Sequence, residues 1–315
     1  MTSTQRAAVF IDKGGTGKTT SAAHLGVALS QLGSSVLLID LAGKQGDLAD
    51  ALGVFEDVQG DISTEDDFPN IATTMGNRWS DVAEMVGGKE AVERLVYETD
   101  SGVDLIPAHP DLDGLDADLG NIDDVQERYN RLRLFLDDHV EPLERWDVII
   151  LDMPGLANNI TYNGLWAAQN VVTPVSMGSF ELKQARSLKN DLQKIRSSYE
   201  QEVQLTMVIA NLYDRRTNLH SDILARFEDE FGSVMAPEYI VDSQQIRTVT
   251  EEGQSLFDVP DEELLSTAED ARDAFRRNAA ELLTRLRQGS RSTPTQSQSQ
   301  SQSRNRSQTR SPETQ

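Results

Sequence analysis

The feature that most constrains this chain is a glycine-rich turn between an apolar run and a helical pattern near the N-terminus. Residues 7–11 read AAVFI, residues 19–32 have apolar side chains at helical spacing, and Gly33 follows where a C-terminal cap is expected. The glycines between them are Gly14, Gly15 and Gly17. A buried strand that passes through such a turn into a helix is typical of a phosphate-binding loop.

This turn has the residues that a nucleoside triphosphate requires. The glycines let backbone N–H groups converge on one point, and the start of the helix adds its positive dipole end. Lys18 is placed to bridge the β- and γ-phosphates, and the Thr19 hydroxyl to ligate Mg²⁺ beside phosphate oxygens and water. The predicted nucleotide contacts in this turn are Lys13, Gly14, Gly15, Thr16, Gly17, Lys18, Thr19 and Thr20.

The turn departs from the ordinary pattern G-x-x-x-x-G-K-[ST], because Asp12 stands where the first glycine belongs. Lys13 follows, and the sequence KGGTGKTT resembles the deviant phosphate loop of the ParA/MinD superfamily. The resemblance implies that the nucleotide is ATP and that two ATP molecules are sandwiched in a homodimer. It also implies that Lys13 reaches the phosphates held by the facing subunit.

The resemblance covers most of residues 7–258. Residues 146–155, WDVIILDMPG, resemble the family's Walker B strand, and Asp152 would hold Mg²⁺ through a bound water. Asn211 lies in a stretch that resembles the segment closing over the base, which makes it the predicted adenine contact. The competing interpretations are that Asp152 only caps a helix and that Asn211 is only a turn residue. At 241–242 the chain has Val-Asp where the family commonly has Pro-Arg.

The loop after the second predicted strand differs from the family in a residue used for hydrolysis. The family reads Asp-x-Asp-Pro-Gln there, and its second aspartate orients the attacking water, whereas residues 40–47 read DLAGKQGD. Asp40 is retained, but Ala42 accepts no hydrogen bond. Asp47 or Gln45 could take its place, because glycines leave the loop flexible. The predicted catalytic residues are Lys13, Lys18, Asp40 and Asp47, and the predicted metal ligands are Thr19, Asp152 and Asp40. Slow turnover and a binding switch with little hydrolysis both fit this loop.

Short aliphatic runs alternate with longer helical patterns along the chain. Several runs are apolar throughout, which is typical of strands covered on both faces. We therefore predict an α/β P-loop NTPase of ParA type, with a mostly parallel twisted sheet and helices on both faces. The predicted strands are 7–11, 35–40, 103–107, 146–152, 170–175, 205–211 and 238–241, and an amphipathic helix is predicted over 261–287.

Charge and composition divide the chain into an acidic domain and a basic tail. The formal net charge is −23, and from Gly289 onward the sequence is rich in Ser, Gln and Arg with almost no apolar residue. Four arginines against one glutamate give this tail +3, which leaves −26 for residues 1–288. We predict an ATPase domain over 1–288 and a disordered tail over 289–315. A halophilic, high-salt cytoplasm explains the acidity, and a basic partner is the alternative explanation.

Composition also excludes classes of protein. No apolar run approaches the roughly 18–20 residues that cross a bilayer, and no secretory signal begins the chain, so we expect a cytoplasmic protein. Cysteine is absent, which excludes a thiolate metal site and the iron–sulfur reductases of the superfamily. A synthetase of the same superfamily stays open, although no second substrate pocket is evident.

The resemblance favours an ATPase switch in chromosome or plasmid partitioning, or in cargo positioning on the nucleoid. It implies non-specific DNA and a ParB-like activator as partners. The candidate DNA contacts are Lys194, Arg196 and Arg226, with ordinary solvated arginines and the basic tail as alternatives. A MinD-like protein that cycles on membranes is the competing hypothesis, but the chain ends in Ser, Gln and Arg with no large apolar residue to insert.

Overall fold

The computed structural model describes residues 4–43, 46–64 and 68–292. The strands of this part are β1 (Gln5–Val9), β2 (Val36–Asp40), β3 (Tyr97–Glu98), β4 (Asp104–Ile106), β5 (Val148–Asp152), β6 (Asn170–Ser176) and β7 (Gln204–Asn211). The α-helices of this part are α1 (Lys18–Gln31), α2 (Asp47–Ala51), α3 (Phe55–Thr64), α4 (Ile71–Met75), α5 (Trp79–Val86), α6 (Gly88–Glu93), α7 (Leu112–Gly120), α8 (Val125–Tyr129), α9 (Arg131–Phe135), α10 (Asn159–Ala168), α11 (Ser179–Tyr199), α12 (Asn218–Phe231), α13 (Gln244–Glu251) and α14 (Ser266–Ser292).

The strands form one sheet in the order β3-β4-β2-β5-β1-β6-β7. All neighbouring strands are parallel except β3, which pairs antiparallel with β4. Six of the seven strands therefore end at the same edge of the sheet, where a doubly wound fold binds its ligand. The three strands that precede the predicted site residues, β2, β5 and β1, are neighbours at its centre.

Helices cover both faces of the sheet, as predicted. On one face α1 packs against α14, and their apolar side chains share a core with alternate residues of β1, β2 and β5. On the other face α10 and α11 pack over the intervening residues of the same strands. This double coverage explains why the central strands read as continuous apolar runs.

The segment 238–241 was predicted as a strand, and that prediction is wrong. Ala236 N–H donates to the Val208 carbonyl and Ile240 N–H to the Ala210 carbonyl, both at 2.7 Å. The two donors are four positions apart and their acceptors on β7 only two, so the register needed for a ladder is not kept. What remains is isolated bridges, one of which joins Tyr213 and Val241.

The last helix also differs from its predicted bounds. It begins at Ser266 rather than 261, because Asp261–Glu263 form a 3-10 turn and Leu264 is extended. It continues to Ser292, beyond the predicted domain boundary at 288, and residues 293–315 lie outside the described residues. Its apolar stripe, including Phe275, Leu282 and Leu286, is buried in the protein's own core. Within the described ranges, no helix combines the length and apolar character needed to cross a bilayer.

Candidate nucleotide site

The glycine-rich turn leads from β1 into α1 and leaves the N-terminus of α1 open. Gly15 and Gly17 have φ angles of 73° and 82°, which other residues adopt only at a cost. Gly17 is the N-cap residue of α1, and no side chain caps the helix there. The first N–H groups of a helix have no partner within it, so they are available to an anion held in this turn.

Asn211, at the end of β7, closes one side of the turn. Its side-chain Nδ2 donates to the Thr16 carbonyl at 2.8 Å, and the residue is buried. A Cβ at Gly17 would lie 2.4 Å from this Nδ2, so the close approach requires glycine. The amide is thus fixed between the phosphate loop and the region expected to hold the base.

Lys18 lies at the centre of the turn. Its ammonium donates to the Lys13 carbonyl at 2.6 Å, and a Cβ at Gly155 would lie 3.0 Å from its Nζ. Burial lowers the pKa of Lys18, while the nearby carboxylates of Asp152 and Asp12 act in the opposite direction. Because the Lys18 ammonium is half-buried, water screens it less, and it attracts phosphate oxygens more strongly than an exposed ammonium would.

Two buried carboxylates lie side by side at the ends of β2 and β5. Asp40 and Asp152 are register partners on these neighbouring strands, and both are almost completely buried. Burial raises the pKa of Asp40 well above its usual range, and repulsion from Asp152 adds to this effect. Burial likewise raises the pKa of Asp152 to about 7, against the opposite effect of the Thr19 hydroxyl and Lys18. A cation between these groups would relieve both penalties.

The donors around Asp152 fit Mg²⁺. No described residue gives either oxygen of the Asp152 carboxylate a hydrogen bond of ordinary geometry, although both oxygens are buried. Thr19 lies close enough for its hydroxyl to affect the pKa of that carboxyl. Within the described ranges no three acidic or histidine side chains converge as a preformed metal cluster. Mg²⁺ commonly completes its oxygen ligands with phosphate and water, and a nucleotide in the turn would supply the phosphate.

The loop after β2 places Ala42 and Asp47 differently around this pair. Ala42 contributes only its backbone N–H, which donates to Asp40 Oδ1 at 2.8 Å. Asp47 is the exposed first residue of α2, and its charge raises the pKa of both Asp40 and Asp152. A carboxylate therefore lies near the buried pair without being part of it. Gln45, the other predicted substitute, lies outside the described residues.

The side chain of Lys13 is turned toward α11 rather than into its own turn. Its ammonium forms an ion pair with Glu181 and lies 5.2 Å from the centre of the Phe180 ring. Sequence reasoning missed Glu181, because an acidic residue in the first turn of a helix is adequately explained by the helix dipole. The two partners are 168 positions apart in the sequence, which leaves no local signal of the contact.

The three candidate DNA contacts lie on two different helices and have different acidic neighbours. Lys194 and Arg196, on α11, pair with Asp191 at 2.8 Å and Glu202 at 3.2 Å. Arg226, on α12, lies instead near Glu230, which also faces two further cations of α11. The cations of α11 are Lys183, Arg186, Lys189, Lys194 and Arg196, against the acids Glu181 and Asp191. This helix is a basic element in an acidic protein.

Known proteins resemble the chain in sequence and in fold. A family model described as an AAA domain matches residues 4–205. The chain is 30% identical over 234 residues to the chromosome partitioning protein ParA of Caulobacter vibrioides, covering 73% of this chain and 79% of that protein. It is 31% identical over 228 residues to the chromosome-partitioning ATPase Soj of Thermus thermophilus, covering 72% and 77%.

Solved structures share the fold over most of the chain. Cobyrinic acid a,c-diamide synthase from Mycobacterium smegmatis, with bound ATP analog and magnesium, has a TM-score of 0.66 and 24% identity, covering 91% of this chain and 97% of that one. An ATP complex of McdA from Cyanothece has a TM-score of 0.67 and 19% identity, covering 91% and 97%.

Proposed function

The chain belongs to the ParA/MinD superfamily of ATPases, and we propose that it is an ATP-dependent dimerising switch that partitions or positions a cargo on DNA. The observation that carries the proposal is that the two lysines of the phosphate loop point in different directions. Lys18 lies inside its own turn, whereas Lys13 leaves the turn and extends along its rim to Glu181. An ammonium at the rim is suited to the phosphates of a facing subunit, as members of this family use it.

The surface around Lys13 has exposed apolar residues suited to an interface between two copies of the chain. Phe180 is 61% exposed beside the Lys13 ammonium. Leu156, which is 52% exposed, follows Gly155 in the loop after β5, where Gly155 lies against Lys13. Apolar side chains placed around a charged contact exclude water from it when a second surface covers them. The ion pair and both apolar residues then belong to one interface.

Within each subunit, the proposed binding roles follow from the positions of the side chains. The N-terminus of α1 and Lys18 hold the phosphates, Thr19, Asp152 and Asp40 face the position for Mg²⁺, and Asn211 borders the base. Bound Mg²⁺ supplies positive charge that neutralises phosphate oxygens. We assign orientation of the attacking water to Asp47, because it brings a carboxylate near Asp40 and Asp152 from the segment in which Ala42 offers none.

ATP-dependent dimerisation of the purified protein tests the proposal. Sedimentation with Mg²⁺ and ATP should show a dimer that is absent with ADP, and calorimetry should show nucleotide binding. Lys13→Ala should weaken the dimer by about tenfold to a hundredfold, the value of a charge-assisted hydrogen bond of about 1.5–3 kcal/mol. Lys89→Ala, which removes an exposed lysine on α6, is the control. A Lys13→Ala dimer as stable as the wild type would remove the role of Lys13 across the interface.

Retention on DNA tests the partition role. We propose that α11, Arg226 and the basic tail contact phosphates, and that a ParB-like protein triggers release on the nucleoid. Replacing Lys194, Arg196 and Arg226 with Gln should reduce ATP-dependent retention and lower the salt slope by about one for each phosphate that is no longer neutralised. Because α14 continues to Ser292, the tail is best removed as residues 293–315. Equal retention by all three proteins would contradict the DNA role and leave the dimer test intact.

A further inference from the structure

The last helix, α14, holds a connecting segment, residues 234–243, which lies between α12 and α13. The Arg285 guanidinium donates to the Met235 carbonyl at 2.8 Å, near the start of this segment. At its other end, the Thr267 hydroxyl donates to Ser243 Oγ at 3.1 Å. Because later positions on α14 contact earlier positions of the segment, the two run antiparallel and stay in contact along their length.

The central contact between them is made by a buried amide. Asn278 Nδ2 donates to the Glu238 carbonyl at 2.9 Å, and the Glu238 N–H donates to Asn278 Oδ1 at 3.0 Å. Asn278 is completely buried, among apolar residues of α14 such as Phe275 and Leu282. Burial of an amide is tolerated where both its donor and its acceptor are hydrogen-bonded. An apolar residue could fill this space, so what the amide adds is a fixed position for the Glu238 backbone.

The connecting segment leads to the edge of the sheet where ligands bind. The Tyr213 N–H donates to the Ile240 carbonyl at 2.9 Å, and the Asp242 N–H donates to the Tyr213 carbonyl at 3.0 Å. Tyr213 lies two residues beyond Asn211, whose side chain closes one side of the glycine-rich turn. The end of the connecting segment therefore lies beside the position at which the proposed function places the base.

The same helix also packs against the phosphate-binding helix α1. Phe275, three positions before Asn278, stacks on His24 of α1 with 4.9 Å between the ring centres. His24 Nδ1 lies 2.9 Å from the Thr20 carbonyl, in the first turn of α1. Thus α14 contacts both the helix that begins at the phosphates and the segment beside the base. A shift of that segment on α14 would change the distance between them.

We propose that Asn278 is a positioning residue for the nucleotide base, because it fixes the connecting segment at the distance from the phosphate loop that a nucleoside triphosphate requires. The inference rests on the ATP-binding function proposed above. Asn278 acts through the backbone of Glu238, so its contribution should be seen only with ligands that carry the base. A residue needed only for folding would affect every phosphate ligand alike.

Calorimetry with ATP and with inorganic tripolyphosphate, both in the presence of Mg²⁺, tests the inference. Tripolyphosphate offers the phosphates without the base. Asn278→Leu keeps the branched shape and removes both hydrogen bonds. It should weaken ATP binding about tenfold, which is about 1.4 kcal/mol or roughly one hydrogen bond, and leave tripolyphosphate binding unchanged. Equal weakening of both ligands, or unchanged binding of ATP, would overturn the positioning role.

Asn163→Leu is the matched control. Asn163 is also completely buried, and its amide donates to the Arg128 carbonyl at 2.9 Å and accepts from the Leu132 N–H at 3.3 Å. These bonds hold α8 and α9 against α10, on the face of the sheet opposite α14. The ratio of the two affinities should therefore stay as in the wild type. A change as large as that in Asn278→Leu would mean that loss of any buried amide has this effect, and would refute the inference.

Hydrogen exchange in the wild-type protein tests the inference without a substitution. ATP should slow exchange of the Glu238 and Asp242 amides several-fold more than tripolyphosphate does, because only the base reaches the connecting segment. Equal protection by the two ligands would reject the positioning role, even if ATP dimerises the protein. A wild-type protein that binds tripolyphosphate and ATP equally weakly, without forming a dimer, would reject the proposed function itself.

Discussion

At the scale of single residues, we predict that the loop after β2 sets the rate of ATP turnover. Ala42 offers only a backbone N–H to Asp40, whereas Asp47 brings a carboxylate near the buried pair. Correct positioning of a nucleophile can raise the reaction rate by several powers of ten. We therefore expect Asp47→Ala to reduce ATP turnover by about tenfold or more while nucleotide binding is kept. Release of phosphate and calorimetry with Mg²⁺ and ATP measure the two quantities separately.

Ala42→Asp is the reciprocal change. It introduces the second aspartate of the family pattern at this position, and should raise turnover in the wild type and rescue Asp47→Ala. Asp50→Asn, on the same short helix, is the control for a general loss of charge. Full turnover by Asp47→Ala would show that another group orients the water.

His24 makes the stability of the protein depend on pH. Burial lowers its pKa to about 4 from 6.5, against the opposite effect of the Thr20 carbonyl, which lies 2.9 Å from Nδ1. The Leu256 N–H donates to Nε2 at 3.3 Å. The unfolded chain therefore binds a proton below pH 6.5 that the folded chain takes up only near pH 4. Stability is lost as the pH falls through this window, by up to about 3 kcal/mol.

The measurement is urea unfolding from pH 7.5 to pH 4, with His24→Gln as the reference. Other titrating groups affect both proteins equally, so the difference between their unfolding free energies isolates His24. The stability advantage of the wild type over the variant should shrink as the pH falls. A difference that stays constant across the window would mean that His24 is not held neutral by the fold.

At the scale of elements, a contact between two glycines joins α2 to the loop after α13. A Cβ at Gly253 would lie 2.6 Å from Gly53 Cα, and a Cβ at Gly53 would lie 2.8 Å from the Gly253 carbonyl oxygen. Both glycines have positive φ angles, 74° at Gly53 and 70° at Gly253. The segment that carries Asp47 and the segment that reaches His24 therefore meet backbone to backbone at these two glycines.

Gly253→Ala should destabilise the protein through both strain and overlap. The left-handed backbone costs about 1–2 kcal/mol and the overlap about 1–3 kcal/mol more. Gly33→Ala is the control, because Gly33 has a φ of 88° and no atom lies within 4 Å of its added Cβ. Urea unfolding should show the larger loss at Gly253. Equal losses would mean that the two segments separate at no cost.

The elements differ in how much their sequence reveals. The central strands and α1 were predicted because burial on both faces produces long apolar runs, and the phosphate loop because its chemistry is local in sequence. Residues 238–241 were misjudged because hydrogen bonding to β7, not composition, decides whether they form a ladder. The pair formed by Lys13 and Glu181 could not be predicted, since it depends on two distant segments and on the space above Gly178.

At the scale of the whole molecule, charge separates the body from the tail. Residues 1–288 carry −26 and residues 289–315 carry +3, while α11 is a basic helix within the acidic body. The DNA binding proposed for the tail and α11 should weaken with salt, because counterions compete for phosphates. The free energy of unfolding of the acidic body should instead rise with salt, because salt screens the repulsion between its negative charges. The two dependences can therefore be measured independently.

Unfolding of the protein between about 0.1 M and 1 M KCl tests the prediction for the body, as the Debye length falls from about 10 Å to about 3 Å. Exposed charge pairs are each worth about 0.2–1 kcal/mol, so relieving many like-charged pairs should raise the unfolding free energy by on the order of 2–4 kcal/mol. Chloride is preferable to sulfate, which strengthens apolar burial by itself. Replacing the exposed Glu84, Glu251 and Glu262 with Gln should flatten the dependence. A stability that falls with salt would instead indicate that the folded body depends on its ion pairs, and the explanation by a high-salt cytoplasm would then have to be abandoned.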